Sequence, residues 1–233
     1  MYLQRIFNRL CLPIFFIFFV SNNTSLYSND QLRDLYIKHS QQTSDINEHL
    51  PVLENLAKQC ASVTEIGIRT VVSTWSCLHG LSKSPYQTRS YVGIDLAPPP
   101  RSKLLLAKRL ANAHGIAFHF IRANDMDIDI EPSDMLFIDS LHTYCHLTYE
   151  LEKFSHYINK FIVMHDTSAP WGDRDDTEYH GDYSEYPASF DRNKRGLWPA
   201  VEDFLANHKE WKLLERRFNN HGLTILERVA DNK

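Results

Sequence analysis

The chain has 233 residues, enough for one domain of ordinary size, with 43% apolar residues to fill a core and 23% charged residues to keep the surface wet. A formal net charge of −4 and a pI near 6.3, with Lys and Arg scattered, leave no basic footprint for a phosphate backbone, which argues against nucleic acid as a partner. Cysteines at 11, 60, 77 and 145 show no Cys-x-x-Cys spacing, which argues against a zinc knuckle or a disulfide framework and points to reduced, buried thiols.

The first twenty residues, "MYLQRIFNRLCLPIFFIFFV", place Arg5 and Arg9 ahead of an eleven-residue apolar run at 10–20, the charge-then-apolar order of a secretory signal. As a helix that run spans about 16 Å, roughly half of a bilayer core near 30 Å. No small-x-small cleavage site follows in "FFVSNNTS". Three readings stay open for segment 1–26: a signal peptide, an anchor giving membrane association through residues 10–20, or a plain extension of a cytoplasmic domain. Asn22 and Asn23 each open an Asn-x-Ser/Thr triplet, a glycan acceptor only in a eukaryotic secretory route.

Residues 27–60 read as a helical cover of two helices, "SNDQLRDLYIKHSQQ" and "SDINEHLPVLENLAKQC", with Ser28 or Asn29 and Ser44 or Asp45 as N-caps. From 61 to 233 the period changes. Short runs rich in Val, Ile and Phe ("SVTEIG", "SYVGIDL", "IAFHFIRA", "DMLFIDS", "FIVMHD") alternate with helical stretches at 73–81, 100–114 and 143–158. Strands apolar throughout rather than alternating are those covered on both faces, so the rhythm predicts a doubly wound α/β fold with a mainly parallel sheet. "EWKLLERRFN" and "GLTILERVA", joined through "NHG" with Gly222 free to take positive φ, predict a closing antiparallel hairpin. The polar stretch at 167–197 has no periodicity and reads as a lid or binding loop, its seven carboxylates as solvated surface.

Ligands of an open parallel sheet settle beyond the carboxyl ends of its strands. The first strand delivers Glu65 and Gly67 to a turn leading into a helix begun by Ser73 and Thr74, whose N–H groups and hydroxyls suit an anionic ligand group. The second ends in Asp95, a carboxylate able to accept from both hydroxyls of a ribose. After the third, Asn124 and Asp125 either reach an adenine edge or form a polar turn. The fourth and fifth deliver Asp139 and His142, then His165 and Asp166. Asp139, His165 and Asp166 suit one divalent cation, and either histidine suits proton removal near neutral pH. A complete Gly-x-Gly-x-x-Gly loop is absent, which disfavours a dinucleotide.

"EIGIRTVVSTW", "YVGIDL", "FIDSLHTY", "FIVMHDT" and the C-terminal stretch from "GLWPAVEDF" to "GLTILER" together resemble the class I S-adenosylmethionine-dependent methyltransferases, in the branch with Phe-Ile-Asp-x-x-His-x-Tyr and His-Asp-Thr motifs. The likeness runs over about residues 60–229 and implies a Rossmann-like seven-stranded sheet with the last strand antiparallel. It implies that Glu65 and Gly67 line S-adenosyl-L-methionine, that Asp95 holds its ribose, and that Asp125 lies near adenine. Ser73 and Thr74 then face the methionine carboxylate. Some relatives place Mg²⁺ where Asp139, His165 and Asp166 stand, although His165 replaces a usual oxygen ligand, so Mg²⁺ or another divalent cation is left open. Thr70 and Val71 stand where many relatives carry a further glycine.

The expectation is a methyltransferase acting on a hydroxyl of a small molecule or glycan, with Asp139, His142 and His165 as catalytic groups and metal assistance open. Trp171, Tyr179, Tyr183 and Tyr186 cover the acceptor. The alternative is a catalytically silent Rossmann-like binding module; a nicotinamide-dependent oxidoreductase has the fold class but the wrong glycine loop. Because S-adenosylmethionine is made in the cytosol, an exported domain needs a supplied donor, whereas a tethered cytosolic one does not.

Overall fold

In the computed structural model, residues 24–176 and 183–229 are described; the apolar run at 10–20, Asn22, Asn23 and Tyr179 lie outside them. Among the described residues no helix is long and apolar enough to cross a membrane. Helix α1 (Thr24–Gln41) already contains Ser28 and Asn29, so neither caps it. The second cover helix is shorter than its pattern suggests: a 3-10 turn at Asn47–His49 precedes α2 (Leu50–Ala57), which has Pro51 in its first turn. Ser44 and Asn47 cause this delay. Asn47 Oδ1 accepts from Ser44 N–H at 3.0 Å and Ser44 Oγ accepts from Ile46 N–H at 3.3 Å, so polar side chains hold a turn where a helix would need free backbone.

The sheet follows in the expected rhythm: β1 (Ser62–Ile66), α3 (Val72–Ser82), β2 (Arg89–Asp95), α4 (Arg101–Ala113), β3 (Ile116–Arg122), β4 (Ser133–Ile138), α5 (Tyr144–Phe154) and β5 (Ile158–His165). Helix α6 (Leu197–Asn207) was not legible as an element beside the aperiodic stretch before it, yet it buries Leu197, Ala200, Val201 and Phe204 at helical spacing. Strands β6 (Trp211–Arg217) and β7 (Leu223–Arg228) form the antiparallel hairpin, and Gly222 has φ +98 in its turn.

The seven strands lie in the order β3-β2-β1-β4-β5-β7-β6, with β1 to β5 parallel and β7 antiparallel to β5. The order reverses between β1 and β4, which makes their carboxyl ends the switch point where ligands bind. Strand β4 shows why its run is apolar throughout. Met135 and Phe137 enter a core layer with α1 to α4, whereas Leu136 and Ile138 enter a second layer with α5 and α6. All of Ser133–Ile138 is buried, so alternation would have put a polar residue into one layer or the other.

Cys60, Cys77 and Cys145 are buried free thiols, as their spacing predicts. Burial pushes the Cys60 thiol up to about 12, out of reach of ready ionisation.

Candidate active site

Strand β1 gives way to Gly67, whose φ of +85 and close passage over β4 both require the absence of a side chain. A Cβ there would stand 2.0 Å from the Asp139 carbonyl oxygen. Gly67 N–H donates to Ile94 O and Asp139 N–H to Ile66 O, both at 2.9 Å, so the ends of β1, β2 and β4 are stitched together. The cavity they frame measures about 540 Å³ and is lined by Gly67, Asp95, Asn124, Asp125, Asp139 and Tyr186, among others.

Asp95 reaches the cavity but is not idle. Its carboxylate accepts the N–H groups of Arg69 (2.8 Å) and Ala97 (2.9 Å), which leaves its remaining lone pairs for a ligand. Arg69 and Val71 both take positive φ, 38° and 60°, in the loop that lacks a further glycine. Asn124 serves both its expected roles: it lines the cavity, and its Oδ1 accepts from Met126 N–H at 3.3 Å, capping a 3-10 turn at Asp125–Asp127.

Glu65, Ser73 and Thr74 lie elsewhere. They are buried and none lines the cavity, so the structure does not place them where an anionic ligand group would sit. Ser73 Oγ and Tyr91 OH donate to the Glu65 carboxylate, as does Thr74 Oγ1 at 3.1 Å. The two hydroxyls at the start of α3 are thus committed to a buried carboxyl, whose pKa desolvation raises to about 7.

Beyond β4 and β5 the expected cluster assembles. His142 Nε2 stands 2.9 Å from Asp166 Oδ2 and 4.0 Å from Asp139 Oδ1, while His165 Nδ1 lies 3.3 Å from Asp139 Oδ1 and 3.1 Å from Asp166 Oδ2. His165 Nε2 donates to the Asn220 carbonyl at 3.1 Å, and burial, which alone would lower its pKa, is outweighed by Asp139 and Asp166, which push it up to about 10. His165 thus has one nitrogen on a backbone carbonyl and the other between two carboxylates, and it is not among the donors that converge. The donor set that converges is instead Asp139, His142 and Asp166, with one atom from each within 4.8 Å of the others. Two oxygens and one imidazole nitrogen fit a divalent cation, and His142 takes the place expected of His165.

Two further residues at this cluster, His221 and Asp176, escaped the sequence reading, and Trp171, one of the expected covers, joins them. His221, in the β6–β7 turn, brings Nδ1 to 3.1 Å from Asp166 Oδ1. Trp171 stacks on His142 with ring centroids 5.6 Å apart, and Asp176 N–H donates to His142 O at 2.8 Å, which ties residues 171–176 to the cluster. That loop's carboxylates are not all solvated: buried Asp175 accepts from Tyr144 N–H (2.8 Å), Gly196 N–H (2.8 Å) and Tyr183 OH (2.7 Å). Tyr186 lines the cavity.

A 3-2-1-4-5-7-6 sheet with a cavity at its switch point, a glycine after β1 and acids closing β2 and following β4, is the class I S-adenosylmethionine-dependent methyltransferase fold. Among solved structures the chain is similar to an O-methyltransferase from Bacillus cereus in complex with SAH, at 11% identity and TM-score 0.50, covering 87% of this chain and 91% of that one. It is also similar to a putative O-methyltransferase from Klebsiella pneumoniae, at 12% identity and TM-score 0.52, covering 87% and 90%. A third is the O-methyltransferase TomG from Streptomyces achromogenes in complex with SAM, at 16% identity and TM-score 0.50, again covering 87% and 90%. At these identities the likeness assigns the fold. No protein-family model and no curated protein matches the chain.

Proposed function

We propose that this chain is an S-adenosylmethionine-dependent methyltransferase acting on a hydroxyl of a small molecule or glycan. The observation that carries the reading is the convergence of Gly67, Asp95 and Asp139 on one cavity beside the His142–Asp166 pair. Asp95 would accept the ribose hydroxyls and Asn124 and Asp125 would meet adenine, leaving the sulfonium methyl toward Asp139. The acceptor oxygen bonds to the methyl carbon as the carbon–sulfur bond breaks, and the hydroxyl proton leaves to a base. His142 is the residue placed for that base role, because Asp166 orients its Nε2 face and Trp171 stacks its ring. Asp139 and the His165 imidazolium fix the local charge. If Asp139, His142 and Asp166 instead hold a divalent cation, His142 is a ligand rather than the base, and the cation would supply orientation and acidification of the acceptor hydroxyl.

Calorimetric titration of the purified full chain with S-adenosylhomocysteine tests the reading. Binding is expected, weakened about tenfold or more by Asp95→Ala through loss of hydrogen bonds to a charged acceptor. A folded chain that gives no heat with either S-adenosylhomocysteine or S-adenosylmethionine overturns it. One observation favours a second reading, a fold retained without turnover: the first loop carries strained Arg69 and Val71 and holds Asp95 through a backbone N–H. Cofactor binding with no methyl transfer to any hydroxylated acceptor would select that alternative.

A further inference from the structure

We propose that Asp125, His146 and Glu150 form a second site, for a divalent first-row transition-metal cation, that ties the turn after β3 to helix α5. His146 and Glu150 are four residues apart on α5 and therefore share one helix face, and Asp125 opens the 3-10 turn opposite them. His146 Nε2 stands 3.0 Å from Asp125 Oδ2 and 3.8 Å from Glu150 Oε1, and one donor atom from each residue lies within 4.8 Å of the other two. The residues retain 7%, 5% and 0% of their exposure for Asp125, His146 and Glu150, so Glu150 is closed to water and Asp125 meets it only at the cavity wall.

Buried oxygens of this kind need donors, and few are supplied. Asp125 Oδ2 and Glu150 Oε2 have no well-aligned donor: the close polar neighbours of Asp125 are His146, at 3.0 Å, and the Glu150 carboxyl itself, a second acid rather than a cation. Ser140 Oγ serves only Glu150 Oε1, at 2.7 Å. Lys153, the cation nearest in sequence, turns to the backbone instead, donating to the carbonyls of Asp125 (3.2 Å) and Met126 (2.8 Å). His146 Nδ1 lies 3.0 Å from Tyr186 OH, an outer contact of the type that orients a metal-binding imidazole while its other nitrogen faces the ion.

One imidazole nitrogen with two carboxylate oxygens suits Zn²⁺ or Mn²⁺ better than the all-oxygen sets of Ca²⁺ and Mg²⁺. Asp125 and His146 also border the large cavity, which gives the ion a side open to water. The site does not depend on the methyltransferase reading: it stands whether or not the cavity takes a nucleoside.

The test is Zn²⁺ itself, added to full chain stripped with a chelator. In calorimetry, Glu150→Gln and Asp125→Asn are each expected to weaken one Zn²⁺ site by about 100-fold, the upper end of what losing even an outer partner of a metal site costs. Asp139→Asn should leave that same site unchanged. Anomalous diffraction at the zinc edge from wild-type crystals locates the ion without any variant, with a peak expected between His146 and Glu150. Zinc found only beside Asp139 and Asp166, no bound zinc at all, or affinity unaltered in both folded variants would overturn the proposal and leave a shared proton as the tie between the two carboxyls.

Discussion

His142 Nε2 lies 2.9 Å from Asp166 Oδ2, so the loop after β4 and the residue that follows β5 meet beside Asp139, which lines the cavity. His142→Ala removes the proton acceptor without touching the residues that border the nucleoside end. The expected outcome is a kcat lower by about 10²–10⁴-fold, the usual contribution of a positioned acid–base group, with S-adenosylhomocysteine affinity nearly unchanged. Equal losses in kcat and in affinity would instead make His142 a structural residue.

Gly67→Ala should fail for two separable reasons. The substituted Cβ would meet the Asp139 carbonyl at 2.0 Å, and the φ of +85 is unfavourable for any L side chain. Denaturant unfolding is expected to show a loss of at least about 1–3 kcal/mol, the scale of such backbone strain, together with loss of cofactor binding. A stable variant that still binds would show that β1 and β4 approach less closely than described.

The layered fold was legible because its physics is local. Met135 to Ile138 had to be apolar on both faces, and Gly222 had to allow a turn. That Gly67, Asp95 and Asp139 would border one cavity was legible because strand ends in a parallel sheet share one edge. His221 was not, since only the pairing of β7 with β5, with His165 opposite Leu223, brings its turn to Asp166. The placing of Ser73 and Thr74 was not legible for a related reason: a hydroxyl at a helix start suits a ligand or a buried carboxyl equally, and here both meet Glu65, which Tyr91 across the sheet also joins.

Ser73→Ala distinguishes those two roles. If the hydroxyl serves Glu65, the substitution leaves a buried carboxyl short of one donor and should lower stability by about 1–3 kcal/mol, the desolvation penalty of an unmet buried group. S-adenosylhomocysteine affinity should hardly change. A stable variant with sharply weaker binding would return Ser73 to the ligand.

The cover helices carry a pH dependence of their own through His79 on α3. It is buried, stacks on Tyr36 with ring centroids 4.6 Å apart, and approaches Glu54 at 3.4 Å without a hydrogen bond at Nδ1. Burial first, then nearby Lys83, lowers its pKa from 6.5 to about 4, against the opposing pull of Glu54. The unfolded chain therefore binds a proton between these two values while the folded chain does not, so stability is full above 6.5 and falls as pH drops toward 4. Each pH unit in that window is worth at most about 1.4 kcal/mol from this group, about 3 kcal/mol in all. Glu65, with its raised pKa, contributes the opposite sign in part of this window, so the readout is a difference: urea unfolding at stepped pH should show a slope more positive in the wild type than in His79→Gln by up to that amount, and identical slopes would mean that His79 titrates normally in the folded chain.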